Sequence, residues 1–315
     1  MKIKHLLAFL LLGAVCVFAL SCAKDGGAVT TSGEDTASPE TTPDATPDTS
    51  SPDTTEPVVT EPETTAPPLF ENDNRHELYD LIKPNGRYGV TVEQTISVPG
   101  LGDYFVAQGA CTDGTYGYVA MRTLNNDDGV IARVDLASGK VVAYSEPLPI
   151  NHANDMTYNP ETRQIIVVHN APNRQLISFV DVDTLTLVST ANIGYNIFCM
   201  AYDEIGRRYV VGLSGGTDFR ILDENLQPVA DCTGKPGTVT QGVYCDQKYI
   251  YFPMSDPNRL VVYDWDGNYI VTMMLTFGKE SESAFWCDGS LWICDFPGKA
   301  TGGGVLYRIT FTPRN

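Results

Sequence analysis

From residue 88 onward, apolar and polar positions alternate in short runs rich in Val, Ile, Tyr and Phe, broken by turns led by Asp, Asn and Gly. That period of two marks half-buried strands, not helices. The runs recur in register. Gly109-Ala110-Cys111-Thr112-Asp113 matches Asp155-Met156-Thr157-Tyr158-Asn159, Cys199-Met200-Ala201-Tyr202-Asp203, Gly242-Val243-Tyr244-Cys245-Asp246 and Ala284-Phe285-Trp286-Cys287-Asp288. The turn residues 113, 159, 203, 246 and 288 stand 46, 44, 43 and 42 apart. A second column, Asp135, Asp181, Asp223 and Asp264, closes another β run in each repeat, and a fresh run such as Lys140 to Tyr144 follows. Asp and Asn suit these places because their side chains hydrogen-bond to the next turn's amides.

Four short strands in about 43 residues, repeated, predict the blades of a β-propeller. The fifth repeat has Val305 to Phe311 as its third strand and no fourth. A lone β run, Tyr88 to Val98, precedes the first repeat and supplies the missing strand. The expected fold is therefore all-β: one propeller of five blades, each of four antiparallel strands, closed by the N-terminal strand. The blades fall at about 105–147, 151–193, 195–235, 238–277 and 281–312 plus 88–98; six blades is the alternative. Residues 74–83 form a short helix with Leu78, Leu81 and Ile82 on one face, stopped by Pro84 and capping the ring.

The sequence before the ring reads differently. Lys2 and Lys4 precede an apolar run from Leu6 to Leu20, too short to span a bilayer and suited to a signal peptide. It ends in Ala19-Leu20-Ser21-Cys22, which resembles the lipobox of bacterial lipoproteins. That resemblance implies lipidation of Cys22 and an anchor at the outer face of the cell membrane or at the bacterial cell surface; an ordinary secretory signal is the alternative. Residues 23–69 hold twelve Thr, eight Pro, four Ser and ten acidic residues among 47, with no aromatic residue. Such a segment cannot bury enough apolar area to offset its ordering entropy, so a disordered stalk is expected, spanning roughly 40 Å as a coil. The organisation is thus signal peptide 1–22, stalk 23–69 and propeller 70–315.

Charge narrows the function. The net charge is -18, and 70–315 alone carries 29 acidic against 18 basic residues. An acidic chain of this kind has no reason to seek nucleic acid, and none is expected as a partner. It contains no phosphate-binding loop, no dinucleotide fingerprint and no nucleophile elbow. Cys111, Cys199, Cys232, Cys245, Cys287 and Cys294 scatter along strands without zinc-ligand spacing, and read as buried small apolar residues.

Candidate chemistry gathers where the inner strands begin. Five positions before the turn column stand Gln108, Asn154, Phe198, Gln241 and Ser283; one step on stand Gly109, Asp155, Cys199, Gly242 and Ala284. The second set is small, as crowding at a five-fold axis requires, except for Asp155. A carboxylate there needs a partner or a cation, and Ca²⁺ suits a carboxylate with amide oxygens. The competing reading has Asp155 accepting backbone N–H groups. His152 and His169 sit on two loops of one blade beside Asp155, and Asn196 and Glu282 enter the same mouth. Asp103, Asp155 and Glu282 are the carboxylates a glycosidase would need. Tyr104, Phe105, Tyr195, Phe198, Phe252 and Trp286 either stack on sugars or pack between blades.

The blade texture, with His152-Ala153-Asn154-Asp155-Met156-Thr157-Tyr158-Asn159-Pro160 as its clearest segment, resembles bacterial YVTN and NHL-like propellers. That resemblance implies ligand or protein binding, with some enzymes among the relatives. The expectation is a non-catalytic monomeric binding module for a glycan, peptide or protein, touching the membrane only through its lipid. Its ligand residues are Gln108, His152, Asn154, Asp155, His169, Asn196, Gln241 and Glu282. The alternative is an extracellular hydrolase or lyase acting on a sugar or lactone through His152, Asp155 and Glu282. A scaffold that docks partners on its outer strands is a third reading.

Overall fold

In a computed structural model, which describes residues 75–214, 218–234 and 241–314, every β run finds a place in one of five four-stranded antiparallel sheets. The signal, Cys22 and the stalk lie outside the described residues. Helix α1 (Arg75–Leu81) comes first, and strand β1 (Tyr88–Val98) follows. The first sheet holds β2 (Val106–Thr112), β3 (Tyr116–Arg122), β4 (Gly129–Asp135) and β5 (Lys140–Tyr144). The second holds β6 (Asp155–Asn159), β7 (Gln164–Val168), β8 (Leu176–Asp181) and β9 (Leu187–Asn192). The third is β10 (Ile197–Asp203), β11 (Arg208–Leu213), β12 (Asp218–Asp223) and β13 (Pro228–Thr233). The fourth is β14 (Tyr244–Cys245), β15 (Tyr249–Met254), β16 (Arg259–Asp264) and β17 (Tyr269–Met274). The fifth is β18 (Ser281–Cys287), β19 (Ser290–Asp295) and β20 (Gly304–Pro313), completed by β1. The fold is a five-bladed propeller. Among the described residues no helix is long and apolar enough to cross a membrane.

The two Asp columns make the turns that separate the strands. Asp135 Oδ1 accepts from the amides of Ala137 at 3.0 Å and Ser138 at 3.1 Å. Asp181, Asp223 and Asp264 repeat this contact in the next three blades. In the first column Asp113 Oδ1 accepts from Thr115 and Tyr116, and Asp246 Oδ1 from Lys248 and Tyr249. Both also fix a ring five residues on: Tyr118 Oη donates to Asp113 at 2.7 Å and Tyr251 Oη to Asp246 at 2.9 Å. The period seen in the sequence is thus a repeated cap, placed where each chain reversal leaves amides without strand partners.

Each blade buries one face against each neighbour, so the core is five interfaces. Phe219 packs on Phe252, with ring centroids 5.4 Å apart, between the third and fourth blades. Ile166 and Ile177 meet Met200 and Tyr209 between the second and third. The closing interface joins Phe285 and Trp292 of the fifth blade, with Ile96 and Val98 of β1, to Val119, Met121 and Val130 of the first. Each fully buried aliphatic or aromatic side chain in these layers contributes about 1.5–3 kcal/mol. Strand β1 pairs with β20 from Tyr88↔Pro313 to Val98↔Gly304, which supplies the fourth strand of the last blade. Leu78 of helix α1 and Ile82 just after it are buried against Tyr249 and Leu291 at the fourth and fifth blades, with Leu81 only half-buried.

Candidate functional site

The inner strands β2, β6, β10, β14 and β18 line the ring axis, and Asp155 at the start of β6 is its central group. The residue is 0 % exposed. Its Oδ2 accepts from the amides of Met200 at 3.1 Å and Val243 at 2.9 Å, in the third and fourth blades. Its Oδ1 lies 2.8 Å from Ser283 Oγ of the fifth blade. Gly109 of the first blade approaches so closely that a Cβ there would lie 2.6 Å from the Asp155 Cα. One carboxyl therefore joins blades across the axis, and both its oxygens are engaged by the protein. This is the arrangement of the competing reading, in which Asp155 accepts backbone N–H groups inside the ring. Among the described residues no group of three or more His, Cys, Asp or Glu is placed to hold a metal ion. Burial pushes the Asp155 pKa up to about 8, against the pull of its hydrogen bonds.

Directly on the strand-entry side of Asp155 lies Asn154, 5 % exposed. Its Nδ2 donates to the carbonyls of Phe198 and Gln241, both at 2.7 Å, and its Oδ1 accepts from Asn170 at 2.8 Å. Asn154 is a second tie across three blades. His169 is likewise structural. Its Nδ1 lies 2.7 Å from Asn151 Oδ1 and its Nε2 lies 2.7 Å from Ser178 Oγ, so neither nitrogen faces a ligand. Asn196 stands apart, exposed beside a shallow depression lined by Pro172 to Leu176.

The remaining predicted residues come together above this layer with a partner that sequence reading missed. Arg122, at the end of β3, is the charged neighbour of Glu280, Glu282 and His152. Gln241 Nε2 donates to Glu280 at 2.9 Å and to Ser255 at 3.2 Å. Gln108 is buried, with its Nε2 folded back onto the Ala107 carbonyl at 2.7 Å. These groups come from the first, second, fourth and fifth blades and converge on the entry mouth. Asp103 carries no contact that brings it to them.

Two local features aim these side chains. Strand β18 breaks its pairing register between Ser281 and Ser283, which leaves Glu282 in a bulge. Strand β2 does the same between Ala107 and Ala110, around Gln108. A bulge re-aims one side chain off the alternating pattern and recurs at functional sites. Glu282 is 2 % exposed. Burial first, then the neighbouring Glu280, Asp295 and Asp155, push it well above the carboxylate range despite Arg122. His152 is pulled down to about 4 by burial, Arg122 and Arg174. The mouth thus sets two carboxyls, Glu280 and Glu282, and an imidazole around the Arg122 guanidinium, with burial working against the charged forms of Glu282 and His152. The buried Arg122 Nε and His152 Nδ1 have no hydrogen-bond partner among the described residues.

A cavity lies at the other end of the axis. It encloses about 750 Å³ where the inner strands finish. Sequence reading placed the ligand face only at the entry end. The signal for the second cavity is the column two before the turns, where Cys111, Thr157 and Ala201 are small beside Tyr244 and Trp286.

Comparison with protein-family profiles and with curated proteins finds no match. Solved structures do match in fold. A glutaminyl cyclase from Myxococcus xanthus superposes with a TM-score of 0.55 at 12 % identity, over 73 % of this chain and 99 % of that one. The β-propeller domain of Myceliophthora thermophila Cps50 (Swd1) gives 0.43 at 9 % identity over 71 % and 100 %. The protein U3-55K gives 0.42 at 10 % over 66 % and 63 %. At these identities the likeness is one of fold: the chain is a β-propeller.

Proposed function

We propose that the protein is a surface-anchored binding propeller whose strand-entry mouth takes a polar ligand of the peptide or glycan class. The observation that carries this reading is the convergence of Arg122, His152, Glu282 and Gln241 from four blades into one desolvated mouth, with Arg122 Nε and His152 Nδ1 unpartnered. A buried donor without a partner costs about 1–3 kcal/mol, and a ligand oxygen on it removes that cost. Arg122 supplies a fork for a carboxylate or carbonyl, and the Glu282 carboxyl supplies a second polar group for a ligand hydroxyl or amide. The lipobox-like Cys22 and the Thr/Pro-rich stretch after it support presentation of the ring at the outer face of a bacterial membrane.

One observation favours a second reading. A general acid needs a carboxyl whose pKa is raised, and Glu282, buried in a bulge beside Arg122, is pushed well above the carboxylate range by burial. The Myxococcus ring of similar fold belongs to an enzyme, a glutaminyl cyclase. Glutaminyl peptides therefore join sugars and lactones in the panel.

The test is calorimetric titration of the full chain with short peptides and oligosaccharides, followed by product analysis. Binding that weakens tenfold or more in Arg122→Ala supports the mouth. A ligand bound equally by Arg122→Ala and Glu282→Gln sits elsewhere and overturns the reading. Turnover that vanishes in Glu282→Gln while binding persists makes the protein an enzyme.

A further inference from the structure

We infer that helix α1 is a releasable strap: it clamps the strand-exit end of the fourth blade, and its release uncovers that end without opening the ring. The fourth blade has the shortest inner strand. Strand β14 holds two residues, paired as Tyr244↔Tyr251 and Cys245↔Ile250, whereas the other four inner strands hold five to seven. The turn that follows, Asp246 to Lys248, is the part that α1 meets. Tyr79 of α1 packs edge-on against Tyr249, with ring centroids 5.8 Å apart. Lys248 Nζ lies 5.0 Å from the Tyr79 centroid and 5.2 Å from that of Tyr249, so one ammonium group sits on both rings. Leu78 and Ile82 enter the apolar layer of Tyr249, Tyr251 and Leu260.

Arg75 adds charge to the clamp. It is 9 % exposed and lines the exit cavity together with Tyr244, Cys245 and Asp246. Asp246 caps the β14–β15 turn through the amides of Lys248 and Tyr249 and holds the Tyr251 hydroxyl. Burial pushes the Asp246 pKa up, and Arg75 pulls it back. Withdrawing the guanidinium therefore weakens the carboxylate that holds this turn.

The same contacts make the strap releasable. Helix α1 has seven residues, about two turns, and a helix that short is not stable in water once it leaves its support. Ring closure does not use it, because β1 and β20 complete the fifth blade by themselves. The chain between helix and ring is anchored separately. Tyr88 Oη donates to the Leu81 carbonyl and accepts from the Lys83 amide at 3.0 Å, and Asn85, at a φ of 60°, turns the chain into β1. Opening thus stops at Tyr88. Segments held by few buried apolar groups open locally, well before the whole domain unfolds. The strap therefore sets whether the fourth-blade side of the exit cavity is closed.

The experiment is native-state hydrogen exchange of the full chain, read by peptide mass. Peptides covering 78–83 and 244–250 should exchange together, about a hundredfold faster than one covering 155–168 in the second blade. Leu78→Ala/Ile82→Ala should speed both exit-end peptides about tenfold and leave 155–168 unchanged. Arg75→Gln should speed 244–250 about threefold. Exchange of all three wild-type peptides at one rate means that α1 leaves only when the ring unfolds, and overturns the inference. A double variant that speeds 78–83 alone also overturns it, because the helix then lies on the blade without clamping it. If the double variant does not fold, the wild-type comparison decides alone.

Discussion

Asp155 Oδ2 and the Val243 amide nitrogen lie 2.9 Å apart across the ring axis, joining the second blade to the fourth. The same oxygen takes the Met200 amide, and the other lies 2.8 Å from Ser283 Oγ. Ser283 Oγ is also 3.1 Å from the Ala110 carbonyl of the first blade. Its one hydroxyl proton can serve only one of these two contacts. With Asp155 protonated, the carboxyl donates to Ser283 Oγ, Ser283 donates to Ala110, and every contact is satisfied. The raised Asp155 pKa, about 8, agrees with this count of protons.

Asp155→Asn is therefore expected to keep the ring intact, because the amide accepts the two N–H groups and donates to Ser283. Asp155→Ala leaves those two amides unpaired and should cost roughly 2–5 kcal/mol. The folded pKa is above the unfolded value of about 4, so the folded state holds more protons between about pH 4 and pH 8. Asp155 thus lowers stability as pH rises through that window, and Asp155→Asn should remove this slope. Urea unfolding of the three proteins at pH 5 and pH 8 checks both points. An Asn variant as unstable as the Ala variant would overturn the neutral-acid network.

The histidines act with the opposite sign. Burial lowers both His152 and His169 to about 4, with Arg122 and Arg174 adding to the shift at His152. The unfolded state, with a histidine pKa of about 6.5, binds more protons between those values. Their contribution is present above pH 6.5 and is lost as pH falls toward 4. At His169, protonation places an N–H against the Ser178 hydroxyl, which then turns to Thr190 at 2.9 Å. An NMR titration should show both rings neutral down to about pH 5. A ring titrating near 6.5 would mean that it is not buried as described.

The blades were legible because each repeat carries its own turn chemistry: Asp135, Asp181, Asp223 and Asp264 each cap a reversal, and their spacing sets the period. Closure was legible because Tyr88 to Val98 had no other strand to pair with. The site was less so. Asp155 was singled out as the polar exception among small axial residues, but spacing does not show that Met200, Val243 and Ser283 converge on it. Arg122 was missed because it ends a second strand of another blade and meets Glu282 only through the ring's curvature. Glu282 sits in a bulge, where alternation no longer tells which way a side chain points.

Strand β1 is expected to be indispensable. It supplies Ile96 and Val98, both buried, to the interface between the fifth and first blades, and it covers the β20 edge along its length. Val98→Asp places a carboxylate in that layer without a partner, so it should cost several kcal/mol. Deleting residues 88–98 exposes a ten-residue edge, Gly304–Pro313, which invites pairing between molecules. Calorimetry and light scattering give the readout: loss of the cooperative transition and association of the deletion variant. A monomeric deletion variant that melts like the parent would show that β1 does not close the ring.

The six cysteines of the ring should be inert while it is folded. Cys111, Cys199, Cys232, Cys245, Cys287 and Cys294 are all buried and unpaired. Burial raises every one of their thiol pKa values, most strongly at Cys111, Cys199, Cys245 and Cys294, with nearby carboxylates adding to it. Reactivity follows the thiolate, so exclusion from solvent and suppression of ionisation act together. Iodoacetamide at pH 8, read site by site by peptide mass, should leave all six unmodified in buffer and alkylate all six in denaturant. Cys232 and Cys287 are the least protected and should react first as denaturant rises. Prompt modification of Cys199 or Cys294 in the folded protein would mean that the inner strands open far more readily than the bonds of Asp155 allow.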